Sequence, residues 1–161
     1  MLEITLSAII SFITMSGLLS IYSTLDLQKR TVQNRILLAG IIIGLVVVIV
    51  TGHIQQHLVL HLTSIVFMSV FGYLLFRLGA FGGADVKTAC TIAVVSPGIE
   101  FTSWNDPILE AIIISGLQLI IMLIGGYLIS KTRNNDEATR VIPLIPFLWG
   151  AYLVLQILAF F

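Results

Sequence analysis

Two aspartates and one glycine turn are the residues of this chain best suited to chemistry. Gly82-Gly83-Ala84-Asp85-Val86-Lys87 places an acid and a base in a turn between apolar segments that read as membrane helices. A carboxylate at such a place sits at or just below a bilayer surface. An intramembrane charge costs about 2.5–3.5 kcal/mol on insertion scales, so such residues are functional suspects by default. A second acid, Asp26, falls just past the first apolar segment, four residues before Arg30. Two carboxylates brought together can do what one cannot. Like charges about 3 Å apart cannot both ionise, so one stays protonated while the other acts as a base. The ionised partner activates a water held between them, and the protonated partner polarises the scissile carbonyl. That is aspartyl-protease chemistry, and it requires no metal and no cofactor. Gly82 and Gly83 tolerate unusual backbone angles and allow a substrate backbone close to Asp85. The alternative is an ordinary interhelical turn, with the acids in ion pairs with Arg30 or Lys87.

The elements that must position these acids are membrane helices. Of the 161 residues, 58% are hydrophobic and 10% charged, and the mean hydropathy is +1.08, far too apolar for a soluble globule of this size. Eight basic and eight acidic residues leave no net charge to attract nucleic acid. A spanning helix needs about 20 mainly apolar residues. Six segments meet or approach that rule: Leu2 to about Tyr22, Ile36 to Gly52, Leu58 to Leu78, Ala84 to Val95, Ile108 to Ser130, and Ile142-Pro143 to Phe161. The second carries Gly40 and Gly44 at a spacing that lets helix backbones approach. The fourth is short and partly polar, suited to facing protein, and stops at Ser96-Pro97-Gly98. Pro143 suits an early helical position. The expected fold is all-α: one integral membrane domain over residues 1–161 with six transmembrane helices.

The connections orient the bundle. Lys29, Arg30 and Arg35 lie in the first, Arg77 and Lys87 flank the third, and Lys131, Arg133 and Arg140 lie in the fifth, which accounts for all eight basic residues. The alternate connections, near 51–57 and 96–107, carry none. The positive-inside rule then makes the basic connections cytoplasmic and puts both termini outside. Asp26 and Asp85 fall together on the cytoplasmic side, and Glu100, Asp106 and Glu110 on the outer side. Asp136 and Glu137 read as a solvated polar loop. Met1-Leu2-Glu3 lacks the basic start of a cleavable signal, so the first helix is expected to remain in the mature protein.

Three separated blocks resemble the type IV prepilin peptidases, in particular the small archaeal preflagellin and prepilin peptidases, membrane aspartyl proteases of the GxGD type. Asp26-Leu27-Gln28-Lys29-Arg30-Thr31-Val32-Gln33-Asn34 is similar to the family's Asp-Leu-x-x-Arg-x-Ile-Pro-Asn, matching at Asp26, Leu27, Arg30 and Asn34. Gly82 to Lys87 resembles Gly-x-Gly-Asp-hydrophobic-Lys, and Pro143-Leu144-Ile145-Pro146-Phe147-Leu148 resembles a proline-bracketed block opening the last helix. Ala84 replaces the family's second glycine. Gln33 replaces its proline, leaving Asn34 as the expected N-cap of the second helix. The resemblance implies catalysis by Asp26 and Asp85, with Gly82, Gly83, Ala84, Lys87, Arg30 and Asn34 shaping the site. It implies cleavage, on the cytoplasmic side of the cell membrane, of the basic leader of pilin-like or archaellin-like precursors, with Asp136 and Glu137 available to attract that leader. It also implies no methyltransferase activity, since the chain lacks a cysteine-rich region and has only Cys90. The competing reading is a noncatalytic protein, either a small transporter coupling ions through Asp85 and Lys87 or an assembly scaffold with a degenerate site.

The remaining polar residues read as structural. A lone Cys90 excludes an internal disulfide and any multi-cysteine zinc site. His53, His57 and His61 recur every four residues on one helix face, but no carboxylate or cysteine lies in the same stretch, so no metal site is expected. Trp104 and Trp149 fit interfacial belts or helix packing.

Overall fold

The computed structural model describes residues 5–102, 104–132 and 142–158. Met1–Glu3, Arg133, Asp136, Glu137 and Arg140 lie outside the described residues. The described residues form seven helices and no strand: α1 Leu6–Lys29, α2 Asn34–Val50, α3 His53–Gln56, α4 Leu58–Arg77, α5 Gly83–Val95, α6 Pro107–Thr132 and α7 Ile145–Leu158. Leu6–Lys29, Leu58–Arg77 and Pro107–Lys131 are long and apolar enough to cross a membrane, and α2 and α7 are shorter apolar helices. The chain is a membrane-embedded helical protein.

Helix α1 departs most from the sequence expectation. It continues past Tyr22 to Lys29, so Asp26 lies in its last turn and not beyond its end. The reason is packing. Met15, Leu19, Tyr22, Ser23 and Asp26 are all buried at helical spacing, one stripe that ignores where apolar composition stops. The helix ends at Arg30, whose left-handed φ of 54° turns the chain while its N–H bonds the Asp26 carbonyl at 2.8 Å.

Helix α5 is the centre of the bundle, packed against α1, α2, α4 and α7. Its buried face is built of small and branched side chains, Thr88, Ala89, Thr91, Ile92, Ala93 and Val95. Its 13 residues reach only about 20 Å, too short for a hydrocarbon core of about 30 Å. It is therefore an enclosed helix, held by protein on several sides.

The glycine pair of α2 serves two partners. A β-carbon at Gly40 would overlap Tyr22 of α1, and one at Gly44 would overlap Val95 of α5. Helix α2 begins at Asn34 after Gln33, which caps it without a side-chain bond, so Asn34 is not the expected N-cap. Likewise α7 begins at Ile145, and Pro146, not Pro143, takes the early helical position where a missing N–H is harmless.

Candidate active site

The turn before α5 is set by the end of α4. Gly79 has a φ of 74°, and two bonds, Gly79 N–H to the Phe76 carbonyl at 3.0 Å and Ala80 N–H to the Leu75 carbonyl at 2.9 Å, close the helix in a Schellman turn. The unusual backbone angle thus falls at Gly79. Gly82 has an extended φ of −80°, so the expectation of strained angles at Gly82 and Gly83 does not hold. Gly82 is needed for space instead. A β-carbon there would stand 3.0 Å from Oδ2 of Asp85, the atom that accepts the Gly82 N–H at 2.8 Å. That bond satisfies one of the free N–H groups at the start of α5 and fixes the Asp85 rotamer. Gly83 opens the helix with nothing nearer its β-position than Phe76 at 4.0 Å. Ala84 packs its methyl against the cluster of Tyr22, Val32, Leu37 and Ile145, so the side chain at the family's glycine position has a use.

Asp26 is held from the other end of the sequence. Ile145 N–H, the first of α7, donates to its Oδ2 at 3.2 Å. Both acids are buried, at 6% exposure for Asp26 and 8% for Asp85. Each is held by backbone N–H groups at a helix start, where the dipole favours negative charge. Leu144, which lines a cavity beside Asp85, directly precedes Ile145, whose N–H binds Asp26, so the two carboxyls lie at the same end of the bundle.

The ion-pair alternative is not realised. Among the described residues no cation lies within 4 Å of either acid. Lys87 Nζ donates instead to Asn34 Oδ1 at 2.7 Å, tying the start of α2 to α5. Arg30 contributes the left-handed turn after Asp26, and its buried Nη1 has no partner among the described residues. A cavity of about 550 Å³ opens beside Asp85, lined by Gly79, Gly82, Gly126, Tyr127, Ser130 and Leu144 among others. Sequence reasoning missed Gly126, Tyr127 and Ser130, because nothing in the α6 pattern marks them off from ordinary helix residues.

The other end of the bundle holds a cluster that sequence reasoning did not assemble. His53 belongs to α3 and His61 to α4, with a helix break at His57, so the three histidines do not share one helix. Yet His53 Nδ1 lies 3.0 Å from His61 Nε2, and His53 Nε2 lies 2.8 Å from Glu100 Oε2. The carboxylate comes from 47 residues away, a partnership without local signal. Glu100 N–H donates to Gln156 at 2.9 Å, and Glu110 accepts the Ile99 N–H at 3.0 Å. A second cavity, about 450 Å³, opens here beside His57, Gln56 and the exposed Trp104. Trp149 packs on the main core.

The fold and these acids define a class: a helical membrane protein with two buried carboxyls at one end of its bundle, one of them, Asp85, beside a cavity. The profile of the type IV leader peptidase family matches residues 12–129, well over half the chain, and the chain belongs to that family. The matched range includes both acids and ends before α7. No curated protein and no solved structure gives a significant match.

Proposed function

We propose that the chain is an aspartic endopeptidase that removes the leader from pilin-like or archaellin-like precursors, with Asp26 and Asp85 sharing the catalytic water. One observation carries the reading. Two buried carboxyls from different helices, each held by a backbone N–H and neither ion-paired among the described residues, lie at one end of the bundle: Asp85 lines a cavity of about 550 Å³, and Asp26 is bonded to Ile145, next to Leu144 in the same lining. A backbone N–H orients a carboxylate and favours its charged form but brings no counter-ion, and two neighbouring carboxyls do not both ionise, so one acid can carry a proton while the other acts as base. The cleavage step adds water to the scissile carbonyl: one acid takes the water proton, the other donates to the carbonyl oxygen, and the proton then passes to the leaving amine.

In this reading a six-helix bundle spans the cell membrane with both termini outside, its short helix α5 enclosed by the others, and the acids work at the cytoplasmic face. Lys29, Arg30, Arg35, Arg77, Lys87 and Lys131 near that end of the bundle support the orientation. The leader would reach the acids where the substrate helix leaves the lipid, and the cut site must unwind there to free its peptide bond. Cleavage proceeds without methyl transfer. A transporter that couples Asp85 to Lys87 is less well supported, because Lys87 is bonded to Asn34.

The test is cleavage in membranes of a synthetic precursor, a basic leader followed by a hydrophobic helix, by wild type, Asp26→Asn and Asp85→Asn at equal expression. Loss of the size shift in both folded variants is the expected result. Cleavage by either variant would sink the two-acid mechanism.

A further inference from the structure

The segment leading into α7 touches both acids, and its position is set by a pair of glycines in α6. Leu144 lines the cavity beside Asp85, and the next residue, Ile145, donates its N–H to Asp26. This short stretch therefore ties the two carboxyls to one piece of backbone. Its own support is Gly125-Gly126. A β-carbon on Gly126 would stand 2.6 Å from Leu144 Cδ2. One on Gly125 would overlap the Phe147 ring, 2.5 Å from Cγ and 2.9 Å from Cε1.

The two contacts differ in kind. Leu144 Cδ2 is the end of a flexible side chain and can turn aside. The Phe147 ring is rigid and belongs to the first turn of α7, two residues after Ile145. An added methyl at Gly125 must push the ring, and with it the backbone that donates to Asp26, because close-packed interiors transmit such displacements.

We propose that Gly125 and Gly126 are positioning residues: by allowing α6 to lie directly against Leu144 and Phe147, they set the place of the Ile145 N–H and hence of Asp26 relative to Asp85. This inference rests on the two-acid reading and adds to it the element that aligns the acids. A displacement near 1 Å costs a well-aligned reaction about 10²-fold. At Gly125, which is not among the residues lining the cavity, the loss should fall on the chemical step.

The experiment compares kcat and KM for the synthetic precursor among wild type, Gly125→Ala, Gly126→Ala, Phe147→Ala and the double variant Gly125→Ala/Phe147→Ala, with Asp26→Asn and Asp85→Asn alongside. Gly125→Ala is expected to lower kcat about 10- to 100-fold with KM changed less than about twofold. Gly126→Ala, whose neighbour can yield, should lose no more than about fivefold. Removing the ring should restore at least about tenfold of the loss in the double variant. Wild-type kcat in Gly125→Ala, a loss confined to KM, or a double variant no better than Gly125→Ala would each overturn the proposal. Should Gly125→Ala fail to fold alone, recovery of both folding and turnover in the double variant supports it, and a folded but inactive double variant refutes it. Cleavage by the aspartate variants would instead refute the reading beneath it, whatever the glycines do.

Discussion

The two ends of the bundle each bury a pair of acids, and only one end gives an acid a histidine partner. At one end Asp26 and Asp85 rest on backbone N–H groups at helix starts. At the other, about 22 Å away along the 15 residues of α1 between Ser11 and Asp26, Glu100 is met by His53. Ser11 joins it there, bonding the Val95 carbonyl and lying 3.4 Å from Glu100. Both pairs of acids are buried, with Glu100 at 8% exposure and Glu110 at 4%. Glu110 accepts a backbone N–H as the aspartates do, so the difference lies in the partner of Glu100. A histidine can share or match the charge of its carboxylate, which ties the acid to one arrangement. A backbone amide holds a carboxyl in place but brings no counter-charge, so its protonation can change during a reaction. Burial alone therefore does not mark a catalytic acid.

The contrast is broken most decisively by exchange of function between the ends. Asp26→Asn and Asp85→Asn should each lower cleavage by about 10²–10⁴-fold in folded protein, while Glu100→Gln should cleave within about threefold of wild type. A folded Glu100→Gln that does not cleave would show that the histidine end takes part in the reaction.

Stability should sort the opposite way. His53→Ala leaves Glu100 buried without its partner, and breaking a buried pair from one side costs about 3–5 kcal/mol. Thermal unfolding in detergent should show that loss, and His53→Leu/Glu100→Gln should recover much of it. An unchanged melting temperature in His53→Ala would mean that the pair holds nothing together.

The smallest effect belongs to the tie between α2 and α5. Lys87→Met removes its bond to Asn34 at the protein surface, which should cost no more than about 1 kcal/mol and reduce cleavage only a few-fold. A complete loss of cleavage in the folded variant would give Lys87 a direct part in the reaction.

Much of this was legible in the sequence, for reasons that also set its limits. Apolar runs located α2, α4, α5 and α6 to within a few residues, because membrane burial and helix formation select the same side chains there. The same criterion ended α1 too early, since it senses lipid contact while Ser23 and Asp26 are buried by protein. The aspartates stood out as charges among apolar residues. Their holders did not, because a backbone N–H at Ile145 has no side-chain signature. His53 with Glu100 was hidden for a related reason: helical spacing reports neighbours on one helix, and these residues meet across a gap of 47 positions.

The bond from Ile145 to Asp26 joins positions 119 apart, the first helix to the last. At ribosomal speeds of about 5–20 residues per second, roughly 6–24 s separate the synthesis of its two ends. In the proposed enzyme the first acid thus enters the membrane well before its holder, and a growing chain carries an unfinished site past every precursor it meets. A ribosome-tethered chain stopped before Ile145 should leave the precursor uncut, whereas supplying α7 as a separate peptide should restore cutting. Enzyme birth would then be timed by the arrival of a single backbone amide.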